Sequence, residues 1–370
     1  MEQQRGKLKK RRVVLIVIAV LIAALAVGGF AAVKGYLGRI GRVDRDAMAT
    51  IAPEDEFFQV DVTPEPSPTP DTEPGAQPSA EPTAEPSPEP SDDPNTLDID
   101  PNDVQWTFIE RIEDDHLINV LLVGQDKYPG DDGWGARQNS DSMILCSINP
   151  KTGQAALISF LRDTYVQIPG GYSDNRLNVP YIFGGFPLLD ETLTLNFGIS
   201  IDCNFEVDMA SFEKIIDTVG GVDVKLTARE AEYMRDIWGD DVTEGVNRFD
   251  GVTARRYAQI RAIGNDFGRS ARQRTVLLAV LDKVKHLPVN DLLSLMYDLL
   301  PYLTTDLTDA EILSLAYRLI PLVSSLRVET HMVPDHDCYT AARIRGMSVL
   351  VPDREKVRTR LEEEYLPLQP

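Results

Sequence analysis

The stretch from Thr63 to Pro94 consists almost wholly of Pro, Glu, Ser, Thr, Ala and Asp. A segment of this composition cannot bury enough apolar surface to offset the conformational entropy that folding removes. We therefore expect residues 34–103 to form a disordered linker, and residues 104–370 to form the folded domain. The linker is either a simple spacer or an extended acidic tether, whose roughly 30 proline-rich residues would reach on the order of 100 Å.

The N-terminal residues predict a membrane anchor. Residues 1–12 are strongly basic, and the stretch from Val13 to Val33 carries no charge over about 21 residues. That length suits a helix that crosses a bilayer, and the basic flank predicts a cytoplasmic N-terminus with the domain outside the cell. A cleaved signal peptide, suggested by the small residues Ala31 and Ala32, is the alternative, but its apolar core is usually only about 7–15 residues long.

Charge and cysteine content exclude several classes of protein. The formal net charge of −21 argues against a nucleic-acid partner. The chain has three cysteines, at 146, 203 and 338, and no pair has the spacing of a metal site. We expect Cys146 to be buried in a strand, and a Cys203–Cys338 disulfide is one possibility outside the membrane.

Alternating apolar and turn segments indicate an α/β fold. Short apolar runs predict strands at Ile118–Val123, Ser142–Ile148 and Ala155–Leu161, and the turn residues at 149–153 predict a hairpin between the last two. The remaining predicted elements are strands at Val222–Leu226 and Ser348–Val351, and helices at Phe212–Val219, Arg269–His286, Leu292–Leu322 and Asp353–Tyr365. Strands interleaved with helices, together with one hairpin, predict a three-layer α-β-α domain with a mixed central sheet.

The run from Asn265 to Arg274 places several cations at the start of a predicted helix. Arg269 and Gln273 are four residues apart and lie on the stripe that becomes apolar one turn later. Arginine on an inward face indicates either an internal anion site, for phosphate or pyrophosphate, or a buried ion pair with a carboxylate. This run alone leaves both interpretations open.

Other polar residues lie at the ends of predicted strands. Asp126 and Asp141 could share a Mg²⁺ ion, which prefers oxygen ligands, although aspartates at such positions are often only turn formers. Arg162 follows a strand and would either reach across the strand ends or pair with Asp163 at the surface. Arg261 is either a further cation of this site or one partner of an ordinary helix-face pair with Tyr257.

Several familiar signatures are missing. The sequence contains no dinucleotide-binding loop, P-loop, nucleophile elbow or zincin helix. The triplet Asp266-Phe267-Gly268 matches a kinase motif in letters only. The segment from His331 to Cys338 is rich in potential metal ligands, but its spacing fits no standard zinc site, so a polar loop is the favoured interpretation.

A set of short motifs extends over roughly residues 117–286, with a weaker one near Gly346–Leu350. The motifs are Ile118–Gly124 with Asp126, Ser140–Ser142, Ser147–Lys151, Arg162–Val166, Asn178 with Tyr181, Gly184-Gly185, Gly220–Val224, Asp266–Arg269 and Arg272–Arg274. In their order and number, these motifs resemble those of the LytR-CpsA-Psr family.

The resemblance implies a membrane-anchored, outward-facing enzyme that transfers a glycopolymer from a polyprenyl-pyrophosphate carrier to peptidoglycan. Asp126 and Asp141 would hold Mg²⁺. The residues implied to hold the pyrophosphate and act in catalysis are Arg162, Arg261, Arg269 and Gln273. The further substrate-binding residues would be Arg137, Asn178, Tyr181, Asp266 and Arg272. The guanidinium group of arginine donates paired hydrogen bonds that suit phosphate oxygens. A metal ion neutralises negative charge as a phosphorus–oxygen bond breaks.

Two positions depart from the family pattern. Asn139 and Gln259 stand where the family usually has arginine, and Leu161 replaces a proline often found before the Arg-Asp pair. The cations near enough in sequence to compensate are Arg137, Arg255, Arg256 and Arg272. These departures keep two other functions open: a non-catalytic module that binds polyprenyl pyrophosphate, and a hydrolase that passes the same intermediate to water.

Overall fold

The computed structural model describes residues 37–45, 48, 96–113, 116–125, 139–284, 295, 298–319 and 327–368. The predicted membrane span at 13–33 and most of the predicted linker lie outside these residues. None of the helices within the described ranges is long and apolar enough to cross a membrane.

The strands are, in chain order, β1 (Gly41–Arg42), β2 (Leu97–Asp98), β3 (Ile118–Gln125), β4 (Ser140–Asn149), β5 (Gln154–Phe160), β6 (Tyr165–Val166), β7 (Asn175–Arg176), β8 (Cys203–Asp208), β9 (Val222–Leu226), β10 (Gly245–Phe249), β11 (Thr304–Thr305), β12 (Arg327–Val333), β13 (Tyr339–Ile344) and β14 (Met347–Pro352). The α-helices are α1 (Pro180–Phe197), α2 (Met209–Thr218), α3 (Ala228–Trp238), α4 (Gly251–Gln259), α5 (Asn265–Val284), α6 (Asp309–Leu319) and α7 (Arg354–Arg360).

The main sheet is mixed, as predicted. Its strands run in the order β1-β11-β8-β3-β4-β5-β12. The predicted hairpin is confirmed, because β4 and β5 are antiparallel and Met143 lies opposite Phe160. The Asn149 side chain closes the turn by accepting hydrogen bonds from the backbone of Lys151 and Thr152. β3 and β8 are parallel, as are β5 and β12.

Both faces of this sheet are covered by helices. Alternate residues of a strand point to opposite faces, so Leu121 and Val123 pack with α1 and α7 in one cluster, whereas Ile118 and Val120 pack with α6 in another. This arrangement gives the predicted three layers. A third cluster joins the antiparallel pair β9 and β10 to α2, α3, α4 and α5 around Phe249 and related apolar side chains.

Several predicted boundaries differ from the structure. Gly41–Arg42, which we assigned to the linker, pairs with β11, and Leu97–Asp98 pairs with β13. The segment predicted as mostly helical from Leu292 to Leu322 contains α6, but it is interrupted by β11, because Thr304 and Thr305 pair with β8. Helix α1 escaped prediction because its sequence contains two glycines and a proline, and the chain kinks at Gly185 with φ of 61°.

The three cysteines are free thiols. Cys203 lies in the cluster on one face of the main sheet and Cys338 in the cluster on the other face. The disulfide considered between them is therefore wrong, because the sheet separates the two side chains. Cys146, expected to be buried, is half-buried, and burial raises the pKa of its thiol to about 12.

Candidate functional site

One edge of the main sheet brings several predicted site residues together. Gln125, at the end of β3, is paired with Ser140 at the start of β4 and with Asp208 at the end of β8. β5 ends nearby at Phe160, two residues before Arg162. Asp141 and Arg162 therefore meet at the edge where three strands end, the position at which open α/β sheets usually bind ligands.

Asp141 lies at the centre of this edge. Its Oδ1 accepts a hydrogen bond from Nη1 of Arg162 at 2.8 Å, and its Oδ2 accepts one from Nη2 of Arg261 at 3.0 Å. Nη1 of Arg269 lies 3.6 Å from the same Oδ2. Burial alone would raise the pKa of Asp141, but the three arginines outweigh it and hold the pKa below its usual value. Asp141 is thus ionised over the physiological pH range.

Two more carboxylates surround the same arginines. Asp266 forms an ion pair with Arg269, and Oδ1 of Asp266 lies 3.6 Å from Nε of Arg162. Asp163 Oδ1 lies 3.6 Å from Nε of Arg162 and also 3.6 Å from Nε of Arg176. Burial raises the pKa of Asp266 despite the nearby arginines. The sequence left open whether Arg162 pairs with Asp163. The structure contains this ion pair, but it lies inside the cluster and not at the surface.

Sequence reasoning missed Arg176. It lies on β7, which pairs with β6 directly after the Arg162-Asp163 segment, and Nη2 of Arg176 donates to the backbone oxygen of Ser348 at 2.8 Å. The available signal was the turn between β6 and β7, which returns the chain to the site. With Arg176 included, this arginine–carboxylate cluster contains four arginines and three carboxylates, the latter being Asp141, Asp163 and Asp266.

The start of α5 buries Arg269 as the sequence predicts. Its side chain is only 3% exposed. The ion-pair interpretation of this inward arginine is confirmed, because Arg269 pairs with Asp266. The anion-site interpretation stays a prediction. Gln273 follows one turn later and is half-buried. Asp126 and Arg137, assigned to metal and substrate, lie outside the described residues.

Arg272 makes its contacts within the protein. Its Nε donates to Glu230 at 2.9 Å, and its Nη1 donates to the backbone oxygen of Ile260 at 2.8 Å. Nη2 donates to the backbone oxygen of Ile263. The prediction that Arg272 binds substrate is therefore not supported by its contacts, which brace the turn between α4 and α5. That turn carries Arg261 to Asp141.

Asn178 and Tyr181 also have structural contacts. The Asn178 backbone donates to the oxygen of Arg162 at 3.3 Å and accepts from Ser140, so it ties the two strand ends together. Tyr181 is fully buried and its hydroxyl donates to Glu206. Its ring lies 5.3 Å from that of Phe186. Tyr181 thus lies in the core, and its contacts give no support to its assignment to substrate.

Two arginines proposed to compensate for Asn139 and Gln259 are neutralised by carboxylates outside the arginine–carboxylate cluster, although one of them contacts Gln259 itself. Arg255 pairs with Glu213 at 2.5 Å and donates to Oε1 of Gln259 at 2.8 Å. Arg256 pairs with Asp240 at 2.5 Å. The charge that the departures remove is therefore not restored by these two side chains, whereas Arg176 adds a cation from another strand.

The His331–Cys338 segment forms its own contacts. Asp335 and Asp337 both pair with Arg360, at 2.5 and 2.7 Å, and His336 stacks on Phe267. Within the described part of the chain, no group of three or more histidine, cysteine, aspartate or glutamate residues is arranged to hold a metal ion.

A mixed α/β domain with a buried arginine–carboxylate cluster at its strand ends defines a protein suited to binding an anion there. The model of the LytR_cpsA_psr family matches residues 81–364, and the chain belongs to that family.

Similar proteins agree with this assignment. A curated protein of Enterococcus faecalis, named polyisoprenyl-teichoic acid–peptidoglycan teichoic acid transferase TagU, is 36% identical over 45% of this chain and 54% of its own length. A Bacillus anthracis protein of the same name is 32% identical over 47% and 55%. The chain thus spans about half the length of these relatives. The crystal structure of TagV from B. subtilis matches with a TM-score of 0.52 and 25% identity, over 68% of this chain and 98% of that one. TagT bound to LIIa-WTA shares the fold, with a TM-score of 0.54 at 24% identity over 70% of this chain and 93% of that one.

Proposed function

We propose that this protein transfers a phosphate-linked glycopolymer from a polyprenyl-pyrophosphate carrier to peptidoglycan. The observation that carries the proposal is the excess of arginine over carboxylate around Asp141, at the sheet edge where ligands usually bind. A pyrophosphate would bring the anionic charge that this cluster lacks. The names of the relatives from E. faecalis and B. anthracis support the choice of donor and acceptor.

The reaction is a phosphoryl transfer. A hydroxyl oxygen of the acceptor attacks the phosphorus that carries the polymer, and the bond from that phosphorus to the bridging oxygen breaks. The products are a phosphodiester between polymer and peptidoglycan, and polyprenyl monophosphate. Arg162, Arg261 and Arg269 stabilise the charge that builds up on the phosphate oxygens, so no covalent attachment to the protein is needed.

Asp266 is the group best suited to accept the proton of the attacking hydroxyl. Burial raises its pKa, and neither of its oxygens accepts a hydrogen bond of good geometry from a described residue, although it is ion-paired with Arg269. A carboxylate with a raised pKa is a better base than one held fully by cations. Asp141, with its lowered pKa, is suited instead to a purely electrostatic role.

The chemistry of Asp141 is compatible with a magnesium ion. Mg²⁺ is usually bound by one or two carboxylates together with substrate phosphates and water. Three arginine nitrogens approach Asp141, while a carboxylate offers about four lone-pair sites, so one remains for a metal. We propose that Asp141, with Asp126, holds Mg²⁺, which would supply positive charge to the pyrophosphate oxygens.

We further propose that the protein is anchored in the cell membrane through residues 13–33, with a cytoplasmic N-terminus and an extracellular domain. The support is the charge-free apolar stretch flanked by basic residues. This placement puts the arginine–carboxylate cluster on the side of the membrane where peptidoglycan lies.

Product analysis tests the proposed function. The purified full-length chain is incubated with a sugar-bearing polyprenyl pyrophosphate, Mg²⁺ and peptidoglycan oligosaccharide. We expect polyprenyl monophosphate and sugar attached to the glycan, with turnover abolished in Asp141→Asn and retained in Asp236→Asn, an exposed control on α3. Free phosphorylated sugar would indicate the hydrolase. Tight binding without turnover would indicate the non-catalytic module suggested by Asn139 and Gln259.

A further inference from the structure

Three aromatic rings lie beside the arginine–carboxylate cluster and are not used by the proposed chemistry. The ring of Phe267 stacks on that of His336, with centroids 4.8 Å apart and planes inclined by 16°. The ring of Tyr339 lies 5.6 Å from Phe267 at 34°. The set joins the first turn of α5 to the end of the loop between β12 and β13. It presents His336, which is exposed, to solvent.

The position of Phe267 ties these rings to the phosphate site. Phe267 lies between Asp266 and Arg269, both members of the arginine–carboxylate cluster. β12 runs parallel to β5 with Val333 opposite Phe160, so the loop after β12, which carries His336, leaves the main sheet at the same end as Arg162. The aromatic rings therefore lie at the same end of the main sheet as the arginine–carboxylate cluster.

We infer that Phe267, His336 and Tyr339 form an aromatic platform that receives a sugar ring next to the phosphate. This inference rests on the proposed function and adds to it the chemistry recognised beside the reacting group. The face of an aromatic ring carries partial negative charge, and the C–H groups on one face of a pyranose carry partial positive charge, so the two surfaces attract each other.

The surroundings of the platform favour a sugar over a polyprenyl chain. His336 is flanked by Asp335 and Asp337, and Asp337 is 68% exposed. Arg360 pairs with both carboxylates, at 2.5 and 2.7 Å. Charged groups next to an aromatic face can form hydrogen bonds with the hydroxyls at the rim of a sugar ring. A lipid chain would remove water from these charged groups and offer no hydrogen bond in its place.

The same sugar chemistry has two sources, the first sugar of the donor and the glycan of the acceptor. Binding is therefore measured for three ligands: geranylgeranyl pyrophosphate, the same molecule carrying N-acetylglucosamine on its pyrophosphate, and a soluble peptidoglycan tetrasaccharide. The full-length chain is compared with His336→Ala and with Phe267→Leu, which keeps an apolar side chain. The control is Tyr317→Ala, on α6, where Tyr317 is 82% exposed.

We expect His336→Ala and Phe267→Leu to weaken the binding of one sugar-bearing ligand by about 2- to 10-fold, the loss that corresponds to an aromatic contact. Both variants should bind sugar-free pyrophosphate with unchanged affinity. His336→Trp should retain sugar affinity because it keeps an aromatic face. If only the sugar-bearing pyrophosphate loses affinity, the platform binds the donor sugar. If only the tetrasaccharide loses affinity, the platform binds the acceptor. Because His336 is exposed, its alanine variant should melt at the same temperature as the parent protein.

Two results would overturn the inference while the proposed function stands. One is unchanged affinity of both variants for both sugar ligands. The other is an equal loss for sugar-bearing and sugar-free pyrophosphate, which would mean that the rings contact the lipid or the phosphate. If the parent protein binds no polyprenyl pyrophosphate at all, the proposed function fails and the inference fails with it.

Discussion

Nη1 of Arg162 lies 2.8 Å from Oδ1 of Asp141, although the two residues are 21 positions apart. The register of the β4–β5 hairpin creates this pair, because it sets the start of β4 beside the end of β5. Asp141 thereby gains an ion pair that lowers its pKa, and Arg162 gains a fixed orientation. Burial would lower the pKa of Arg162, but Asp141, Asp163 and Asp266 together raise it.

Arg269→Ala should weaken binding of sugar-free polyprenyl pyrophosphate by about 10- to 100-fold, the loss expected for a hydrogen bond to a charged group. Arg318→Ala, an exposed arginine on α6, is the matched control and should leave the affinity unchanged. Isothermal titration gives both values. Because Arg269 also pairs with Asp266, each variant is first shown to be folded by its thermal melting curve. Equal affinities of the two variants would contradict an internal phosphate site.

Arg272→Ala should act on stability. Removal of this side chain leaves Glu230 and the backbone oxygens of Ile260 and Ile263 without their buried partner. Breaking such a buried pair typically costs about 3–5 kcal/mol, which urea denaturation measures as a fall in the free energy of unfolding. Arg229→Ala, exposed on α3, should change it by less than about 0.5 kcal/mol. If Arg272→Ala lost ligand affinity at unchanged stability, the substrate-binding role expected from the sequence would be restored.

Arg269 and Arg272 differ in how well the sequence predicts their surroundings. Both arginines lie on a predicted helix, and helical spacing correctly placed Arg269 on the inward face beside the site. Spacing could not show that Arg272, nearly a full turn on, faces the turn at Ile260. That depends on Glu230, which lies 42 positions away on α3. Partners supplied by another element are invisible to local patterns.

The same limit explains Arg176 and Tyr181. Arg176 reaches the site only because β6 and β7 fold back on each other, and both strands are two residues long. Strands this short carry no alternation that a sequence could display. Tyr181 matched the family pattern, but its position in α1 turns the ring into the core. By contrast, the β3–β4–β5 core was predictable, because each strand is a continuous apolar run bounded by polar or turn residues.

Asp190 should make stability depend on pH. Burial, opposed by hydrogen bonds from Asn204 and Arg45, raises its pKa to about 7. Between pH of about 4 and 7 the folded chain therefore keeps a proton on Asp190 that the unfolded chain releases. The free energy of unfolding falls as pH rises through this range, by at most about 1.4 kcal/mol per pH unit. Above pH of about 7 its contribution is constant.

Denaturation curves at pH 5, 6, 7 and 8 measure this effect, and Asp190→Asn should flatten the profile. The amide can still accept the hydrogen bond that Asn204 donates at 3.0 Å, and Arg45 keeps its ion pair with Asp306 at 3.1 Å. A variant whose profile matches that of the parent protein would mean that Asp190 is already ionised at pH 5.

Gly268→Ala should destabilise the protein. A Cβ at this position would lie 2.4 Å from the backbone oxygen of Ile263 and 3.3 Å from the guanidinium of Arg272. The backbone would have to shift, at a typical cost of about 1–3 kcal/mol, which differential scanning calorimetry would register as a lower Tm. Ala271→Ser, at an exposed position of the same helix, is the control and should melt with the parent protein.

Strand β1 has a consequence for the geometry of the cell surface. Gly41–Arg42 is hydrogen-bonded into the main sheet, and β2 enters the three-stranded sheet after the proline-rich stretch, so that stretch leaves the domain and returns to it. Because both ends of that stretch are held in the domain, its length would not set the distance from the proposed anchor to the domain. With the proposed anchor ending at Val33, the four residues to Leu37 span at most about 14 Å. Under that proposal the domain would lie against the bilayer, and the glycan strand would have to come to it.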